Sequence, residues 1–212
     1  MTFSSLFTGS LLAGILIALG NMMYVCIENK IVAAFLFSIA LCFIRIRKLN
    51  LFTGSIGRLY FDKNLKIYHL IFILLFNITG TAIMRLVPNF PVDVYAIAKM
   101  KFLDVSLLQV GFYSIFCGML MVIATDSLTP MWLTIMCVAG FLLAGFRHSI
   151  ADSWYFWYLP LANYKTGLKV LGIEILGNFI GGSFVAIFIK ENYIIFSFIS
   201  TIYFLTIFTI FN

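Results

Sequence analysis

This chain has little charge: acidic and basic residues make up 10% of its 212 positions, against 63% hydrophobic ones. That is about the inverse of the balance a soluble domain needs to stay wetted, so a water-exposed fold is excluded. The motifs of covalent and metal chemistry are missing as well. There is no phosphate-cradling glycine loop and no His/Cys metal cluster, and Ser149 and Asp152 flank His148 too closely in sequence to form a nucleophilic triad with it. The four cysteines, Cys26, Cys42, Cys117 and Cys137, each lie inside an apolar segment without C-x-x-C spacing and read as core thiols. No enzymatic activity, metal or cofactor is expected.

Nor is there a basic arm. The net charge is +6, yet the basic residues fall between apolar runs and form no Arg/Lys-aromatic stripe, so no nucleic-acid partner is expected. A small anion and the membrane lipid are the expected counterparts. A signal peptide is also missing. The first apolar run, 6–27, has no charged n-region or small-residue cleavage site, and it is long enough to cross a hydrocarbon core about 30 Å thick.

What the chain does have is a series of apolar runs, at 6–27, 31–44, 67–87, 105–124, 131–146, 168–189 and 193–211. The second and fifth are too short to span. Each of these two leads into a polar-punctuated stretch, 45–57 in the first half and 147–152 in the second, followed by further apolar residues. Broken helices are tolerated at membrane depth only where the freed backbone is buried in protein or lines a cavity. The two breaks hold matching places, each in the second of three spans, and each is followed by a helix carrying Asn-x-x-Gly: Asn77 to Gly80, and Asn178 to Gly181. With three spans per half, the second copy enters from the opposite side. The expected fold is therefore all-α, polytopic and six-span, an inverted repeat (6–87 and 105–189) with broken second and fifth helices. The membrane channel domain is then 1–189, and 190–212 is a C-terminal hydrophobic segment, either an added span or a surface-lying helix. Orientation stays open, because basic residues flank both sides of the spans.

A pore is expected where 51–54 meets 148–152. His148 follows directly on an apolar run, and an ionisable residue at membrane depth is either a cavity-facing functional group or a neutral imidazole bonded between helices. Thr53, in Leu51-Phe52-Thr53-Gly54, supplies a hydroxyl that could bond a solute or fix the histidine tautomer. The same tetrapeptide recurs as Leu6-Phe7-Thr8-Gly9, where no pore role follows. Asn77 and Asn178 sit mid-helix, where an amide without partners costs about 1–3 kcal/mol, so each must bond solute, backbone or a neighbouring helix. Arg45, Arg47, Lys48 and Arg147 border the breaks, either as a cationic vestibule that concentrates anions or as snorkelling side chains at helix ends. Glu174 could pair with one of them.

The segments Leu51-Phe52-Thr53-Gly54, Gly145-Phe146-x-His148-Ser149-Ile150-Ala151 and Gly177-Asn178-x-x-Gly181-Gly182, in this order, resemble the formate/nitrite transporter family over roughly 6–189. The resemblance implies an aquaporin-like fold assembled as a homo-pentamer with one pore per protomer. It implies that His148 is the central pore histidine, with Thr53 its partner on the opposing broken helix. It further makes Phe37, Phe52 and Phe141 the pore constriction, and Asn77 and Asn178 the paired helix asparagines. Three positions depart from the family pattern: Arg147 stands where an acidic residue is usual, Asp152 where asparagine is usual, and the vestibule lysine expected near the fifth span is absent around 126–131.

The function this suggests is passage of a small monovalent anion or its conjugate weak acid, of the formate, nitrite or hydrosulfide type, with proton linkage. The setting is a multi-pass protein of the cell (inner) membrane. A bare carboxylate crossing a dry apolar ring costs several kcal/mol more than the neutral acid. The alternatives are a pore for a small neutral solute and a non-conducting relative.

Overall fold

A computed structural model gives the structure, describing residues 3–88 and 90–210, with side chains described as far as 190. In chain order the elements are α1 (Phe3–Cys26), α2 (Lys30–Ile46), α3 (Phe52–Phe61), α4 (Ile67–Met84), α5 (Val94–Phe102), α6 (Leu107–Thr125), α7 (Met131–Leu143), α8 (Ser149–Phe156) and α9 (Tyr164–Ile210), with a 3-10 turn at Leu161–Asn163 before α9. The helices α1, α4 and α6 and the segment Leu161–Lys190 are long and apolar enough to cross a membrane. The pairs α2–α3 and α7–α8 are the two broken spans, which completes the expected six-span, all-α architecture. The side chains of the C-terminal run 193–211, expected as an added span or surface-lying helix, lie outside the described residues.

Both breaks are made the same way. α2 ends when Lys48 turns left-handed, at φ 52°, and α7 ends when Gly145 does, at φ 71°. In each case the next residue's N–H reaches back to the last buried turn: Leu49 donates to the Ile44 carbonyl and Phe146 to the Phe141 carbonyl, both at 2.9 Å. This ending satisfies the carbonyls that a helix terminus leaves free. The chain then runs extended through Leu51 and His148 and turns helical again at Phe52 and Ser149. The breaks are therefore shorter than the polar stretches 45–57 and 147–152: residues 52–57 and 149–152 are helical. Thr53, Gly54 and Ser55 occupy the first turn of α3 and Ser149 that of α8, where short side chains are compatible with helix.

The long helices pack in pairs, α1 on α4 and α6 on α9, and α2 crosses α7. Each half's short helix lies against the other half's long ones: α3 against α6 and α9, α8 against α4 and α1. Glycines set the approach at matching positions of the two halves, Gly14 and Gly80 in the first and Gly118 and Gly181 in the second. A Cβ on Gly14 would stand 2.1 Å from the Asn77 carbonyl oxygen, and one on Gly118 would stand 2.2 Å from that of Asn178. Only a residue without a side chain fits where backbones approach so closely. Outward faces carry exposed Ile39, Ile71, Leu75, Phe112, Leu176 and Ile180, as expected of helices solvated by lipid or by neighbouring protomers. α5 breaks the symmetry of the halves. It begins at Asp93, whose carboxylate accepts the Ala96 N–H, and packs on α8 and α9.

Candidate functional site: a histidine between two broken helices

Two asparagines hold the breaks in place. Asn77 Oδ1 accepts the Phe52 N–H at 2.7 Å, and its amide donates to the carbonyls of Asn50 at 2.9 Å and Ser10 at 2.7 Å. Asn178 repeats the set, accepting the Ser149 N–H at 2.9 Å and donating to Arg147 at 2.9 Å and Ser114 at 2.8 Å. Each side chain thus caps the N-terminus of a short helix from a different helix, and bonds the carbonyl two residues before it. Both are fully buried, and an uncapped helix terminus in that setting would leave several donors unpaired. Of the partners open to these residues from sequence, the structure shows backbone.

The breaks place Thr53 in the first turn of α3 and His148 at the N-cap of α8, and bring them together: Thr53 Oγ1 lies 3.0 Å from His148 Nε2. His148 Nδ1 accepts the Ala151 N–H at 3.0 Å. A nitrogen that accepts carries no proton, so these partners assign the neutral tautomer with hydrogen on Nε2, which donates to the threonine oxygen. Both residues are buried. The imidazole stacks on the Phe141 ring at 5.5 Å between centroids, and Phe141 meets Phe37 edge to face at 6.1 Å. Phe37 and Phe141 are 1% and 2% exposed, so neither ring is wetted. Phe52 is also buried, and its backbone rather than its ring joins the network.

The bordering cations divide. On the side of the α2–α3 break, a cavity of about 740 Å³ is lined by Arg45, Lys48, Leu51, Gly54, Arg58 and Asp126 among others. Arg45 is tied down there, donating to Thr134 Oγ1 and to the carbonyls of Ser127 and Thr129. Arg147, on the other break, is not an open cation. It is 7% exposed, and its Nε and Nη2 donate to Glu174 Oε1 at 2.8 and 2.5 Å, while Nε lies 3.0 Å from Asp152 Oδ2. Of the cations that the sequence offers Glu174, the structure selects Arg147, and it adds Lys101, which the sequence marks only as one of the basic residues flanking the spans. Lys101 Nζ reaches from α5 to Asp152 Oδ1 at 2.8 Å, so a lysine does stand beside the fifth span, delivered by the helix between the halves. Nothing local marks it, since Lys99 and Lys101 are both basic residues in the last turn of one short helix.

Two broken spans meeting at a buried histidine define a polytopic helical membrane protein built of two matching halves. The chain belongs to the formate/nitrite transporter family, whose pattern matches residues 1–190. Its fold is similar to that of an FNT family ion channel, with a TM-score of 0.68 at 22% identity over 88% of each chain. It is likewise similar to a pentameric formate channel with formate bound, with a TM-score of 0.70 at 19% identity, covering 91% of this chain and 97% of that one. No curated protein matches in sequence.

Proposed function

We propose that the protein passes a small monovalent anion of the formate, nitrite or hydrosulfide kind, carried at the narrowest level as its conjugate weak acid. It would act as a homo-pentamer, like the pentameric relative, and in the cell (inner) membrane with one pore per protomer. The observation that carries this reading is the Thr53–His148 hydrogen bond between the two broken helices. A polar pair at that depth, beside rings that water does not reach, offers a solute one hydrogen-bonding station in an otherwise apolar passage. An anion entering it bare leaves its hydration behind without a counter-charge on the neutral imidazole, so the protonated acid is the form the passage favours. Arg45, Lys48 and Arg58, which line the cavity beside the α2–α3 break, supply a field that gathers anions beforehand.

Formate and nitrite uptake into vesicles containing the purified protein tests this, and uptake equal to that of empty vesicles refutes it. A second reading, a pore for a small neutral solute, is favoured by one observation: the positive charge of Arg147 is compensated by Asp152 and Glu174. Osmotic swelling insensitive to the anion present would select it.

A further inference from the structure

Beside His148 lies a cluster of four charges that no pore role so far accounts for: Lys101, Arg147, Asp152 and Glu174. Asp152 and Glu174 are the only buried carboxylates among the described residues. Their side chains are 3% and 0% exposed. The donors around them fall short. Asp152 Oδ1 takes Lys101 Nζ, and Glu174 Oε1 takes Nε and Nη2 of Arg147. The single hydrogen on Arg147 Nε is thereby used on Glu174, although Asp152 Oδ2 stands 3.0 Å away. Neither Asp152 Oδ2 nor Glu174 Oε2 accepts a hydrogen bond, and the two carboxyls are brought together on one guanidinium nitrogen, Arg147 Nε, at 3.0 Å from Asp152 Oδ2 and 2.8 Å from Glu174 Oε1.

Two buried carboxyls gathered on one nitrogen, each with an oxygen that no hydrogen reaches, are unfavourable on two counts, desolvation and like-charge repulsion. One added proton removes both, turning the contact into an O–H···O⁻ bond of the short, charge-assisted kind. We infer that Asp152 and Glu174 share a single exchangeable proton, and that its presence sets the charge of the cluster one helical turn from His148. Without it, two cations and two anions cancel. With it, the cluster carries a net positive charge.

The surroundings suit this role. Facing the pair are Lys101 from α5, Arg147 and His148 from the break, Tyr155 from α8, whose ring lies 5.1 Å from Lys101 Nζ, and Cys117 from α6, with Tyr24 of α1 behind Tyr155. His148 is held neutral by the N–H it accepts from Ala151. Lys101, at 26% side-chain exposure against 8% or less for the carboxyls and Arg147, is the member of the cluster nearest the protomer surface, and the proposed route of the proton runs past it. The proton comes from the aqueous side and returns there, with no other bond made or broken. Because binding free energies are reciprocal, a proton that makes the cluster positive favours a nearby anion, and the anion favours the proton. That consequence rests on the transport reading above, whereas the shared proton itself does not.

Infrared difference spectra of the purified full-length protein, titrated from mildly acidic to mildly alkaline pH, test the proton directly. The expected result is a carboxylic-acid carbonyl band that shifts on deuterium exchange and titrates as one group. It is lost in both Glu174→Gln and Asp152→Asn and retained in Thr53→Val. No such band in the wild-type protein at any pH overturns the inference, whether or not the variants fold, and so does a band that survives in either carboxyl variant. A missing band with intact formate uptake removes the proton site and leaves the transport reading standing. The band present without uptake does the reverse.

Discussion

The hydroxyl of Thr53 lies 3.0 Å from Nε2 of His148 across 95 residues of chain, while the other ring nitrogen of that histidine accepts the N–H of Ala151. One imidazole thus closes the N-terminus of α8 and ties it to the first turn of α3. Orientation and tautomer are set by its two partners rather than left to solvent, so its Nε2–H points at one defined oxygen.

Replacing Thr53 by valine keeps the volume and removes the acceptor. The buried Nε2–H is then unpaired, at a cost of about 1–3 kcal/mol. Formate uptake in vesicles should fall by about tenfold, while Thr53→Ser, which keeps the hydroxyl, should retain most of it. Equal uptake by all three proteins would show that the hydroxyl has no part in passage.

At His148 the structure separates two roles. Phenylalanine removes both the pore group and the cap of α8, and loss of an N-cap acceptor costs about 0.5–2 kcal/mol. Asparagine restores a capping acceptor and cannot reach Thr53 as the imidazole does. Selective uptake should be lost in both His148→Phe and His148→Asn, with the oligomer intact by size exclusion, and thermal stability should be lower only in the phenylalanine variant. Wild-type uptake by His148→Phe would leave the residue a purely structural one.

Lys48 and Gly145 end their helices alike, with φ of 52° and 71°, but only one is a glycine. A side chain in the left-handed region costs about 1–2 kcal/mol. Lys48→Gly should therefore raise the thermal unfolding midpoint and Gly145→Ala should lower it, by similar amounts. At Gly145 an added methyl meets nothing within 4 Å, so backbone conformation is the whole cause. Midpoints moving in the same direction for both variants would contradict this.

Close approach makes a different demand at Gly118, where a methyl would stand 2.2 Å from a backbone oxygen, and none at Gly140, where nothing lies within 4 Å. Gly118→Ala should destabilise by several times the effect of any surface change, because backbone on both sides must move. Gly140→Ala, inside α7, should be neutral or stabilise by about 0.5–1 kcal/mol through the lost flexibility of glycine. Thermal unfolding of the two in detergent, side by side, is the check.

Much of the architecture could be read directly. Apolar runs of spanning length, two of them too short, and Asn-x-x-Gly after each break led to six spans in two halves, because lipid tolerates only helices and helices must bury their interruptions. Thr53 and His148 stood out for the same reason: a polar group at membrane depth needs a partner. The limits of the breaks were not legible. The Thr, Ser and Gly of residues 52–57 and 149–152 look like loop, yet they are helical, with Asn77 and Asn178 capping them from elsewhere in the chain.

The sequence alone determined where the chain must be helical and apolar, since those demands act between residues a few positions apart and are set by the solvent. Tertiary structure decided which polar groups meet. Asn77 and Asn178 turned to backbone, Arg147 turned to Glu174 and Asp152 instead of a vestibule, and Lys101 arrived from a short helix that no apolar run announces. Those pairings depend on the rotation and depth of separate helices, and a shift of one residue in any of them would exchange one partner for another while leaving the local pattern unchanged.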